Sequence, residues 1–175
     1  YFKKHGKRPG IVAFVDGVTA AAIDPEGWLH TGDLARIDER GYVFITGRKK
    51  EILVLTTGKK VVPAAVEECI LRSPLVAQAV LVGDERKYVA ALVWPDVTTL
   101  RAELRKRGVA AEGGPEEWSA QPAVRRIVMD SIAEACSGLA EFERPKTIAL
   151  LPRELSLAEG EMTPTLKIKR KVVAE

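Results

Sequence analysis

The sequence lacks any long apolar run. Its longest, Ile11–Val15 and Val89–Trp94, hold five and six residues, far short of the ~20 that cross a bilayer, and they read as buried strands. Cysteine is scarce. Cys69 and Cys136 stand far apart with no Cys-x-x-Cys, and no secretory signal pattern appears, so we expect a reduced, cytoplasmic setting with both thiols packed as small hydrophobes. The two histidines, His5 and His30, have no second ligand at metal spacing, so no metal site is expected. Charge of one sign is also missing. The net charge of +3 is spread along the chain, and the one basic cluster is Lys167, Lys169, Arg170 and Lys171. A nucleic-acid partner would require a basic face, and none is expected. There is no Gly-x-Gly-x-x-Gly, no Walker-type loop and no set of nucleophile, base and orienting residue.

What is present is an ordinary globular composition, 46% hydrophobic and 29% charged over 175 residues. A chain of this size buries roughly 70% of its unfolded surface, enough for a core without disulfides or metal. Tyr1 to Gly10 is basic and punctuated by Gly and Pro, so we expect it to continue from something longer. Pro25-Glu26-Gly27 marks a loop. Leu34–Asp38 and Tyr42–Thr46 alternate apolar and polar residues around Glu39-Arg40-Gly41, which predicts a hairpin.

After Gly47-Arg48-Lys49-Lys50 the pattern restarts. A strand is expected at Ile52–Leu55, and then a polar turn at Thr56–Lys60. A helix opening at Pro63 should put Val66, Ile70 and Leu71 on one face and end before Ser73-Pro74. Strands at Val76–Val82 and Tyr88–Trp94 follow. Helices are expected over 97–107 and about 122–139, the second with Val124, Ile127, Val128, Ile132, Ala135 and Leu139 on its packed face. Gly113-Gly114-Pro115 separates the two helices, and Lys146–Leu151 reads as a last strand before a polar loop, Pro152–Pro164, and a short basic tail. The fold class expected is α+β: a small mixed sheet with helices packed on it, preceded by a β-hairpin.

Four short stretches go beyond composition, and each has a plainer alternative. In Gly27-Trp28-Leu29-His30-Thr31-Gly32-Asp33-Leu34 the carboxylate of Asp33 could accept both hydroxyls of a cis-diol such as ribose, or it could simply cap a turn. Ile45-Thr46-Gly47-Arg48-Lys49-Lys50-Glu51 sets three cations between strands, which equally describes a solvated linker. Thr56-Thr57-Gly58-Lys59-Lys60 is a Gly turn with lysines ahead of a helix, or an ordinary loop. Met162-Thr163-Pro164-Thr165-Leu166-Lys167 displays a lysine from a Pro-containing loop, or it is a solvated terminus.

Taken together, the order and spacing of these stretches resemble the adenylate-forming (acyl-activating) enzymes, and in particular the long-chain fatty acyl-CoA synthetases. The likeness runs over essentially the whole chain and corresponds to the last part of a family member. The resemblance implies that residues 1–48 end a large N-terminal adenylation domain, that 49–51 form the hinge at Lys50, and that 52–175 are the small mobile C-terminal domain. It also implies that Asp33 and Arg48 contact ATP and AMP, and that Gly58, Lys59 and Lys60 form the loop that enters the site for thioester formation with coenzyme A. Lys167 would be the catalytic lysine that reaches the carboxylate and ATP during adenylation. The implied substrates are a fatty acid, Mg2+·ATP and coenzyme A, met through an N-terminal domain outside this sequence. On that basis the segment alone is expected to be inactive, and peripheral membrane contact is left open. Two other readings stand beside this one: an adenylation domain that activates another carboxylic or amino acid for a carrier protein, and a stand-alone interaction module that uses the basic tail.

Overall fold

A computed structural model of the chain describes residues 22–23, 28–110, 112–165 and 167–173. The basic start, the expected strand Ile11–Val15 and the loop Pro25-Glu26-Gly27 lie outside the described residues. Packing divides the chain into two compact units, Tyr1–Lys50 and Glu51–Glu175.

In the first unit, β1 (Asp33–Ile37) pairs antiparallel with β2 (Val43–Arg48). The turn is built locally. Oδ1 of Asp38 accepts from the N–H groups of Arg40 and Tyr42, at 3.0 and 2.9 Å, and Gly41 takes the left-handed conformation at φ +83° that side chains disfavour. A 3-10 turn, Lys49–Glu51, follows β2.

In the second unit, β3 (Leu53–Val54) and β4 (Lys60–Val61) form a short hairpin. The strand expected over Ile52–Leu55 is shorter, because the N–H of Leu55 already closes the turn onto the carbonyl of Lys59. Pro63 opens α1 (Pro63–Ile70), where a missing N–H costs nothing. Val66 and Ile70 are buried, but Leu71 lies beyond the last helical residue as its C-cap and is 47% exposed, so it does not share their face.

A three-stranded mixed sheet forms the centre. β5 (Val76–Val82) runs antiparallel to β6 (Ala90–Pro95), and β7 (Thr147–Leu150) runs parallel to β6. Its register aligns Ala79, Val93 and Leu150 in one row, and Leu81, Ala91 and Ile148 in the next, all buried. Alternation along the strands therefore gives one continuous apolar face. Onto it pack α1 and α4 (Pro122–Ala135), through Val66, Ile70, Val128 and Ile132. Before α4 come α2 (Val97–Lys106), N-capped by Asp96 through the N–H of Thr99 at 2.8 Å, and the short α3 (Pro115–Ser119).

Two further elements differ from expectation. α3 goes unannounced by Gly113-Gly114-Pro115, yet it carries Trp118, fully buried with its indole N–H on the carbonyl of Glu112. Truncating so large a side chain to Ala costs about 3–5 kcal/mol. α4 ends at Ala135 rather than near 139, because the Arg144 guanidinium takes the carbonyls of Ser137 and Leu139 and draws the chain into a turn. The last described element, α5 (Arg170–Val173), packs against β5. On the sheet face opposite the helices Val80 is buried, and Leu155 donates its N–H to the Gln78 side chain.

Candidate functional site

Asp33 and Arg48 occupy the last register pair at the open end of the first hairpin, and Nε of Arg48 lies 2.7 Å from Oδ1 of Asp33. The sequence separates them by a whole strand–turn–strand, and antiparallel pairing closes that gap. Thr31 Oγ1 accepts the N–H of Asp33 at 3.2 Å, and the N–H of Lys49 reaches the carbonyl of Gly32 at 2.8 Å, so both strand ends are fixed. An irregularity between Leu34 and Ala35 re-aims the edge beside the pair. Both side chains remain accessible, Arg48 the more so at 59%. A carboxylate beside a guanidinium offers acceptors for sugar hydroxyls and donors for a phosphate from one small area. Lys50 falls in the 3-10 turn that follows.

In the second unit, Gly58 and Lys59 sit at the tip of the β3–β4 hairpin, and Lys60 opens β4 beside them, paired with Val54. The N–H of Gly58 donates to the carbonyl of Leu55 at 2.8 Å, and Gly58 adopts φ +78°, the geometry of a type I turn closed by a left-handed glycine. The turn is braced from the β5–β6 loop: Asp84 Oδ1 accepts the N–H of Val54, and the N–H of Thr56 meets the carbonyl of Arg86. Lys59 lies over the Phe142 ring at 5.4 Å, a cation–π contact that tethers an otherwise exposed amine.

Lys167 stands on a second braced loop. Its N–H donates to Thr163 Oγ1 at 3.0 Å, its carbonyl accepts from the N–H of Thr163 at 2.7 Å, and a β-bridge joins Met162 to Ile168. Beside this loop Glu161 accepts four hydrogen bonds. Both of its carboxylate oxygens receive the Arg153 fork at 2.8 and 2.9 Å, Ser156 donates an N–H, and the Glu161 carbonyl accepts from the N–H of Lys169. The Arg153 hydrogen bonds hold the Glu161 carboxyl below the ordinary range for a glutamate.

Arg170 then anchors the segment. Its Nη2 straddles both oxygens of Glu67 at 2.8 and 2.9 Å, and its Nε points to the carbonyl of Leu81 at 3.3 Å. Glu67 also accepts the N–H of Leu81 at 2.7 Å. Burial pushes the Glu67 carboxyl up against the opposing pull of Arg170 and that N–H. Arg170 is thus no part of a solvated terminus.

Glu67 and Arg170, 103 residues apart, carry no signal of spacing beyond a glutamate inside the apolar helix at Pro63–Ile70, and Arg153 and Glu161, eight apart in an irregular loop, have no periodicity to pair them. Among the described residues no three His, Cys, Asp or Glu side chains are grouped to hold a metal, and no helix is long and apolar enough to cross a membrane.

Three comparisons bear on these geometries. The family model for the AMP-binding enzyme C-terminal domain matches residues 50–146. Over 86% of this chain and 25% of its own length, the long-chain-fatty-acid–CoA ligase FadD15 of Mycobacterium tuberculosis is 36% identical; long-chain-fatty-acid–CoA ligase 1 of Homo sapiens is 38% identical over 87% and 22%. The chain therefore spans about a quarter of the length of the curated relatives it matches. Among solved structures, the A-PCP didomain of carboxylic acid reductase from Segniliparus rugosus, in complex with AMP, superposes with a TM-score of 0.74 at 24% identity, over 90% of this chain and 20% of that one. That likeness is one of fold.

Proposed function

This chain belongs to the AMP-binding enzyme C-terminal domain family, and from that premise we propose that it is the C-terminal part of an ATP-dependent, AMP-forming long-chain fatty acid–CoA ligase. The observation that carries this reading is the pairing of Asp33 with Arg48 at one strand end, in a chain 36–38% identical to long-chain ligases over nearly nine-tenths of its length. Residues up to 48 would close the large adenylation domain, 49–51 would be the hinge, and 52–175 would be the mobile domain.

In the first step the fatty carboxylate attacks the α-phosphorus of ATP, forming the acyl–phosphate bond as the bond to pyrophosphate breaks. Two anions must approach each other. Asp33 would hold the ribose hydroxyls and Arg48 the phosphate side of the nucleotide, while the Lys167 ammonium, compact and carrying three donors, would neutralise carboxylate and phosphate oxygens together. Mg2+ would enter with the ATP phosphates. In the second step the CoA thiolate attacks the acyl carbonyl, the carbon–sulfur bond forms and AMP leaves. The Gly58 turn, with Lys59 and Lys60, would line the approach of the thiol, and rotation at Lys50 would exchange the Lys167 face for the Gly58 face.

The isolated segment would be inactive, since it supplies only edge contacts to the nucleotide. A reduced, cytoplasmic compartment suits the two free cysteines. In the full-length protein, palmitate, Mg·ATP and CoA should yield palmitoyl-CoA, AMP and pyrophosphate one for one. Release of ADP, or an acyl-adenylate that no thiol consumes, would overturn the reading.

A further inference from the structure

β5 is an edge strand, and edge strands leave backbone groups without a neighbouring strand to bond. At Leu81 those groups are taken by two side chains. Glu67 from α1 receives the N–H at 2.7 Å, and Arg170 from α5 reaches the carbonyl at 3.3 Å, while the two side chains are ion-paired with each other. At Leu81 the pair thus closes the sheet edge as a fourth strand would, but with groups from two distant segments. Both side chains are largely shielded, 17% exposed for Glu67 and 21% for Arg170, so the contact is far less screened by water than the surface pairs elsewhere.

Arg170 lies three residues after Lys167. Between them the backbone is held at Ile168 by its bridge to Met162, and at Lys169 by the carbonyl of Glu161. The loop that displays Lys167 is consequently fixed on one side by Arg153 and Glu161, and on the other by Arg170 clamped to Glu67 and Leu81.

We propose that Glu67 and Arg170 are positioning residues for Lys167: their clamp on the edge strand sets where the lysine loop stands, and so acts on adenylation and not on the thioester step. The inference rests on the role proposed for Lys167. Neither residue touches substrate. Their effect passes through the braced backbone of Ile168 and Lys169, and a misplacement of about 1 Å at a reacting group is enough to cost up to roughly a hundredfold in rate.

The test uses the full-length ligase that carries this segment, with Arg170→Gln, Arg170→Lys and Glu67→Gln. Each is assayed for fatty-acid-dependent ATP–pyrophosphate exchange, and separately for CoA transfer from supplied acyl-adenylate. Arg170→Gln should lower exchange by roughly tenfold to a hundredfold with CoA transfer within about twofold. Glu67→Gln, which keeps an oxygen for the N–H of Leu81, should fall between that variant and wild type, and Arg170→Lys should recover part of the loss. Hydrogen exchange should show faster exchange at the Leu81 and Lys169 amides while β6 stays protected.

Unchanged pyrophosphate exchange despite freed Leu81 and Lys169 amides would overturn the proposal. So would an equal drop in both half-reactions, which would mark a purely structural clamp. A Lys167→Ala control separates the two ideas: if that variant keeps its exchange activity, the role of Lys167 has failed, whatever the clamp does.

Discussion

Asp33 and Arg48 face each other across the final rung of the first hairpin, with the guanidinium Nε 2.7 Å from the carboxylate. At this exposure the pair is worth at most about 1 kcal/mol to folding, so its geometry matters for what it can bind more than for what it stabilises. Asp33→Asn should therefore leave the melting temperature of the full-length protein nearly unchanged. Losing hydrogen bonds to a charged acceptor should raise the KM for ATP by roughly tenfold, with a smaller effect on the KM for fatty acid. Steady-state kinetics at saturating CoA would check it, and an ATP KM unaltered in Asp33→Asn would remove the residue from the nucleotide site.

For Lys167 the two half-reactions should separate. Lys167→Ala is expected to reduce fatty-acid-dependent pyrophosphate exchange by about a hundredfold or more, the usual scale for deleting one preorganised charge at a reacting centre. CoA transfer from supplied acyl-adenylate should be spared. Near wild-type exchange would show that the braced loop presents the lysine to something else.

The Gly58 turn allows strain to be told from crowding. A Cβ built at Gly58 meets nothing within 4 Å, yet φ is +78°. Gly58→Ala should then cost about 1 kcal/mol in stability from backbone conformation alone, and Gly58→Asn distinctly less, because Asn visits the left-handed region more readily. If both variants melt like wild type but lose CoA transfer, the glycine is needed for close approach of the substrate and not for the turn.

Glu161 predicts a pH dependence. Its folded pKa is lowered, first by the Arg153 hydrogen bonds and also by the Ser156 N–H, so the folded state binds protons less readily than the unfolded one. The stabilisation is fully present above the ordinary glutamate range and is lost as the pH falls through the depressed value. Protection of the Ser156 amide should accordingly fall on acidification from about pH 5 to pH 3. Arg153→Gln should move that loss to higher pH; an unshifted profile would mean that another carboxylate governs it.

How far these features could be read from residues alone depended on distance along the chain. The first hairpin was legible because Asp38 and Gly41 make its turn from within. α1 was legible because Pro63 preorganises its first turn, and β6 because Val89–Trp94 is an uninterrupted apolar run. Leu71 and the end of α4 were misplaced for a common reason: helix periodicity carries no information about where a helix stops, and beyond α4 the carbonyls of Ser137 and Leu139 go to Arg144. Trp118 gave no sign of its burial, since a five-residue helix is too short to have a periodic face.

The amino-acid order by itself determined the main strands, α1, α2 and α4 and the turn at Gly58, which depend on residues within a few positions of one another, and the family likeness, which rests on the order of four short stretches along the chain. The tertiary structure alone decided that Asp33 meets Arg48, that Glu161 holds the base of the Lys167 loop, and that Arg170 closes the edge of β5 through Glu67. The last of these joins segments 103 residues apart, and it forms because largely shielded charges and unpaired strand-edge groups must find partners once folding has excluded water from them.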